Sequence, residues 1–125
     1  MKYNDVLLHP PGPVVNVLVR PMRRVNPART IQGELDTGAD ISVIPESVVF
    51  ELQLKRKESV LMYGYDENPT KRPVYRIDFE ILGYTLRAIR VAAAPRSTIL
   101  LGRDVLNHFI ITLDGKAQTF EMIDP

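Results

Sequence analysis

The chain has 125 residues, enough for one domain with a real core and too few for a second lobe. Sixteen basic and fifteen acidic residues leave a formal charge of +1, which argues against a protein held on nucleic acid by phosphate contacts. Cysteine is absent, and the two histidines, His9 and His108, match no metal-ligand spacing, so neither disulfide, metal nor other cofactor is expected.

The first segment, residues 1–13, reads as an arm. It carries charges and prolines and lacks the long apolar core of a signal peptide, and no apolar run in the chain reaches the ~18 residues of a membrane helix. The expectation is a cytoplasmic protein with no membrane partner. His9-Pro10-Pro11-Gly12-Pro13 suits neither a helix nor a central strand. The preceding Val6-Leu7-Leu8 is apolar and suited to packing on a partner subunit. The domain proper is expected over residues 14–125.

Val14 to Val19 is rich in Val and Leu and predicts a buried strand. Pro21 to Arg29 is a polar loop. Arg20, Arg23, Arg24 and Arg29 cluster around it, and a solvated surface explains them better than a binding site does. Thr30 to Leu35 reads as a strand that runs straight into Asp36-Thr37-Gly38. Ile41 to Ile44 follows as a short strand, and Pro45 opens a helical turn over residues 46–52, where its missing N–H costs nothing.

Val60 to Tyr63 is apolar again. Gly64 to Arg72 holds turn formers and charges and predicts the tip of a long hairpin. Tyr75, Ile77, Phe79 and Ile81 alternate with Arg76, Asp78 and Glu80, the period of a strand with one wet face. Gly83 turns the chain, Tyr84 to Val91 returns antiparallel, and Ala92-Ala93-Ala94-Pro95 ends that strand, since proline removes a ladder donor. Ile99 to Leu101 is a short apolar strand, followed by Gly102 and a helix start over residues 103–108. Ile110 to Leu113, a turn at Asp114-Gly115, and Thr119 to Ile123 predict a C-terminal hairpin. About eight short strands with two small helices imply an all-β domain, a closed or nearly closed barrel.

Asp36 stands between two apolar runs, where a carboxylate asks for a reason. Asp-Thr-Gly alone fits any turn. Ile99-Leu100-Leu101-Gly102-Arg103-Asp104, about sixty residues later, changes the odds. Together the two blocks resemble the retropepsin-like aspartic proteases, the family of the retroviral proteases. The resemblance covers residues 30–114 and implies an acid-protease barrel with a flap hairpin and one or two short helices.

It also implies roles. Asp36 would be the catalytic carboxylate. This chain has one Asp-Thr-Gly, and the chemistry needs two carboxylates sharing a proton and a water, so the implied enzyme is a homodimer with one Asp36 from each subunit. Its substrate is a peptide or protein. Thr37 would lock the two loops across the axis, and Gly38 would lie against substrate backbone. Ala39 replaces the Ser or Thr of many relatives and cannot donate to the carboxylate, which predicts a less acidic working range than that of pepsin-like enzymes. Asp40 and Arg103 are expected to pair, tying the loop to the helix. Tyr63, Gly64 and Tyr65 belong to the flap and are expected to cover bound substrate. Thr98 and Leu100 would form a pocket wall.

Two features depart from the family. The flap tip is charged rather than glycine-rich, and the chain ends in a full hairpin rather than one short strand. The first leaves open a second reading, a catalytically inactive dimerisation or peptide-binding module of the same fold. A third is a β-barrel ligand binder whose Asp-Thr-Gly is only a turn.

Overall fold

The structure, a computed structural model, describes residues 1–55, 58–63 and 68–125. Among them run nine strands and two short helices: β1 (Val14–Pro21), β2 (Arg29–Leu35), β3 (Val43–Pro45), α1 (Glu46–Glu51), β4 (Glu58–Tyr63), β5 (Pro69–Ile81), β6 (Tyr84–Ala94), β7 (Ile99–Leu101), α2 (Arg103–Leu106), β8 (Ile110–Asp114) and β9 (Thr119–Ile123).

The main sheet has the order β1-β2-β7-β3-β6-β5-β4, and β1 also pairs with β5. That extra pairing closes β1, β2, β7, β3, β6 and β5 into a barrel and leaves β4 outside the ring. The protein is therefore all-β with a closed six-stranded barrel, as expected. β7 runs parallel to β2, in register Leu35 with Leu101, and antiparallel to β3 at Val43 and Leu100. Two strand ends, those of β2 and β7, thus emerge side by side at the Asp-Thr-Gly loop.

Alternation explains the core. Val15, Val17 and Val19 of β1 are buried while Asn16 is exposed, so β1 is a half-buried strand. Ile77, Phe79 and Ile81 of β5 meet Ile99 and Leu101 of β7 in one apolar cluster. The β5–β6 turn is tight, with Leu82 and Gly83 both at positive φ, the backbone that matches strand twist in a two-residue hairpin.

Two expectations need correction. Asp78 does not face water: it is 6 % exposed. A register shift between Ile77 and Phe79 turns it inward, where its carboxylate accepts from the Ala88 N–H at 2.8 Å and the Arg23 N–H at 3.3 Å. Pro69 to Arg72 is strand rather than hairpin tip, since β5 begins at Pro69 and pairs with β4 from Tyr63 onward. The remainder of the expected tip, residues 64–67, lies outside the described residues.

The ends meet each other. The Met1 ammonium donates to the Phe120 carbonyl at 2.7 Å, the Phe120 N–H returns a bond to the Met1 carbonyl at 2.8 Å, and Tyr3 stacks obliquely on Phe120. Of the basic residues near the first loop, Arg20 lies 3.5 Å from Glu80 and Arg29 is paired with Glu51. Among the described residues no helix is long and apolar enough to cross a membrane.

Candidate active site

β2 delivers Asp36 to the end of the barrel, and the Asp36 N–H donates to the Leu101 carbonyl at 2.9 Å, extending the β2–β7 ladder by one bond. The chain then reverses. The Gly38 N–H donates to Asp36 Oδ1 at 2.8 Å, and the Ala39 N–H to the Asp36 carbonyl at 3.3 Å. A Cβ on Gly38 would lie 3.1 Å from that same Oδ1, so the turn suits glycine. Asp36 is half-buried, with one oxygen held by the backbone and no donor among the described residues on the other.

Asp36 opens into a cleft of about 830 Å³. Asp36, Gly38, Ala39, Asp40 and Ile41 line it together with Arg90, Leu100 and Arg103. Val60, Leu61 and Met62 of β4 line it as well, so the outlying hairpin strand contributes an apolar wall to the cleft that holds Asp36. A half-buried carboxylate facing a partly apolar cleft of this size can act on a bound extended chain, since water is partly excluded and one carboxylate oxygen stays available.

Most of the residues expected from the sequence converge here: Asp36, Gly38, Ala39, Asp40, Leu100 and Arg103. Thr37 is adjacent and exposed, and its hydroxyl has no hydrogen-bond partner among the described residues. Thr98 is not part of the lining. It is buried, and its hydroxyl donates to Glu34 Oε2 at 2.5 Å, in a cluster with Arg96, whose guanidinium reaches the same carboxylate at 2.7 Å. Gly64 and Tyr65 lie outside the described residues, and of Tyr63 only the backbone is described, paired opposite Pro69.

The Asp40–Arg103 tie takes another form. No ion pair joins these two among the described residues; Asp40 is exposed, and the Arg103 guanidinium donates to the Thr37 carbonyl at 2.7 Å. The residue that ties loop to helix is the next one, Asp104. Its Oδ2 accepts from the Ser42 N–H at 3.0 Å and its Oδ1 from the Ser42 hydroxyl at 2.7 Å and the Val105 N–H at 2.9 Å. Ser42, fully buried, accepts in turn from the Gly102 N–H at 2.9 Å. The physical reason is position: Arg103 opens the helix on the outside, whereas Asp104 faces the strand behind it.

Sequence reasoning gave Ser42 and Asp104 no role. The available signal was Ser42 itself, one polar residue inside an apolar run, which must find a partner when that run is buried. The apolar character of Val60 to Tyr63 carries no sign that Val60, Leu61 and Met62 line the cleft.

A family model described as aspartyl protease matches residues 23–105. No curated protein matches the chain. Among solved structures, the EIAV protease complexed with an inhibitor aligns at a TM-score of 0.60 with 20% identity, covering 83% of this chain and 90% of that one. The solution structure of the simian foamy virus (mac) protease aligns at 0.55 with 19% identity, covering 76% of this chain and 92% of that one. At these identities the two structures speak for the fold.

Proposed function

The chain belongs to the aspartyl protease family, and we propose that it is an aspartic endopeptidase acting as a homodimer, each subunit supplying one Asp36. The observation that carries this reading is the setting of Asp36: half-buried, one oxygen held by the Gly38 N–H, the other open to a cleft with an apolar wall from β4.

In the dimer two Asp36 carboxylates lie within a few ångströms of each other. Both cannot be ionised at that distance, so one keeps a proton. The ionised member takes a proton from the shared water, whose oxygen attacks the peptide carbonyl carbon. The protonated member hydrogen-bonds the carbonyl oxygen and stabilises the charge that develops there. As the tetrahedral intermediate collapses, the carboxyl that took the water's proton gives it to the leaving nitrogen, the C–N bond breaks, and the pair returns to holding one proton. Chain and water together supply every group these steps require.

Gly38 provides a surface without a side chain for substrate backbone, and Ala39, Leu100 and the β4 wall favour apolar substrate side chains. The open hydroxyl of Thr37 supports its role as a cross-axis lock, because a second copy of the loop would supply the partner it lacks. Residues 1–13 form an arm to the domain of residues 14–125.

The charged run Asp66-Glu67, with Lys71 and Arg72 beyond it, favours the alternative of an inactive peptide-binding module. A statine-type peptide, whose hydroxyl mimics the tetrahedral intermediate, separates the two. Calorimetry should give tight binding that drops by roughly a hundredfold or more in Asp36→Asn, since transition-state mimics depend on the reacting groups. Equal affinity for the wild type and the variant would favour the module.

A further inference from the structure

The sheet beside the cleft changes character beyond Leu100. β2 and β7 run parallel with Glu34 opposite Leu100, so these two side chains stand on one face of the sheet, and Leu100 lines the cleft. Alternation puts Thr98 on that face as well, while Ile99 and Leu101 point into the core. Along β2, Glu34 precedes Asp36 by two residues, about 7 Å, on the same face.

A carboxylate, a guanidinium and a hydroxyl meet at this margin. Glu34 Oε2 accepts from the Thr98 hydroxyl at 2.5 Å and from Arg96 Nη2 at 2.7 Å, and Arg96 Nε donates to the Thr98 carbonyl at 2.8 Å. The side chains of Glu34 and Arg96 are 21 % and 29 % exposed, so each is mostly covered and held in place. The bonds use only part of what the two groups offer. Among the described residues no donor reaches Glu34 Oε1, and no acceptor reaches Arg96 Nη1. No fully buried side-chain polar atom lacks a partner among those residues, so both spare groups stay open to solvent.

We infer that Glu34 and Arg96 form a polar subsite at the margin of the cleft, and that it takes a carboxamide side chain, Asn or Gln, of the bound chain. The pair has no net charge. A lysine drawn to Glu34 meets Arg96, and a glutamate drawn to Arg96 meets Glu34. A leucine would cover Oε1 and Nη1 without replacing the water they lose. A carboxamide carries a donor for the first and an acceptor for the second in one group. The residue that reaches the subsite lies outside the pair flanking the broken bond, whose own surroundings are the apolar Ala39, Leu100 and β4. The subsite rests on the proposal that this cleft binds and cleaves peptides.

The test uses peptides that share one apolar cleaved pair, with Gln, Leu, Lys or Glu scanned through the two positions on each side of it. At one scanned position or more, kcat/KM for Gln should exceed that for each of the other three by roughly tenfold, the worth of one or two hydrogen bonds. The paired variant Glu34→Leu with Arg96→Met removes both charges together, since a single change would strand the other charge. It should reverse the order at that position, Leu over Gln, whereas a purely structural role would lower all four peptides alike. A wild type that prefers Lys, Glu or Leu at every scanned position overturns the subsite with no need of the variant. An unchanged order in the folded paired variant also overturns it. Affinities of the same peptides for Asp36→Asn, read by fluorescence anisotropy, keep the subsite apart from the chemistry. Gln-preferring binding by a protein whose wild type cleaves nothing upholds the subsite and contradicts the protease reading. No binding of any peptide overturns both.

Discussion

Asp36 and Asp104 divide the work of two carboxylates. One keeps an oxygen open to the cleft; the other spends both oxygens on Ser42 and Val105. That difference makes Asp104 intolerant of a near-isostere. An asparagine must turn its NH2 either toward the Ser42 N–H or toward the Val105 N–H, setting donor against donor. Asp104→Asn is predicted to cost about 2 kcal/mol, a fall in melting temperature of roughly 5 °C or more, with kcat reduced more than KM is raised. Thermal melts and steady-state kinetics check this, and an unchanged melting temperature would count against it. At Ala39 the prediction concerns pH. A hydroxyl there could donate to the ionised form of the carboxylate proposed to be catalytic and favour it, so Ala39→Ser should move the acid limb of the rate profile to lower pH. A wild-type profile already peaking below about pH 3 would contradict this account of Ala39.

The elements matter through how closely they approach. Gly102 has an ordinary φ of −86°, so backbone freedom is not the reason for glycine. A Cβ would stand 2.9 Å from the Ala39 carbonyl oxygen and 3.0 Å from the Ile41 carbonyl, backbone atoms of the segment that follows Asp36-Thr37-Gly38. Gly102→Ala should cost about 2–3 kcal/mol and displace Asp36, read as a lower melting temperature together with lost activity. β4 offers the opposite case. Leu61 lines the cleft yet is 58 % exposed, so Leu61→Ser should leave the fold intact and raise KM by roughly tenfold. Much at this scale was legible in the sequence. Apolar runs and breakers located β1, β7 and the C-terminal hairpin, and β2 was marked by its apolar end running into Asp36-Thr37-Gly38. Asp78 was not legible, because a bulge changes which residues face inward without changing any residue type. The Asp40–Arg103 expectation failed for a related reason: two charges on neighbouring blocks can be counted from sequence, but which one faces the gap is set by the helix's orientation. Ser42 answered that question instead.

At the level of the whole molecule, one barrel brings one Asp-Thr-Gly loop, one cleft and one outlying hairpin strand to the same end. The proposed chemistry requires two Asp36 carboxylates, one from each subunit, so activity should depend on concentration. Specific activity is predicted to fall on dilution through the dimer dissociation constant, in step with the sedimentation coefficient; activity per chain that stays constant as the protein dissociates would contradict this. The proposed activity rests on Asp36 as the group that hydrolyses peptides. The most direct test is cleavage of a mixed peptide pool from pH 3 to 8, with products read by mass, for wild type and Asp36→Asn. Cleavage is expected at bonds flanked by apolar side chains for the wild type, with a loss of at least about a thousandfold in the variant. Cleavage surviving in a folded, dimeric Asp36→Asn protein, or absent from the wild type across the whole range, would contradict it.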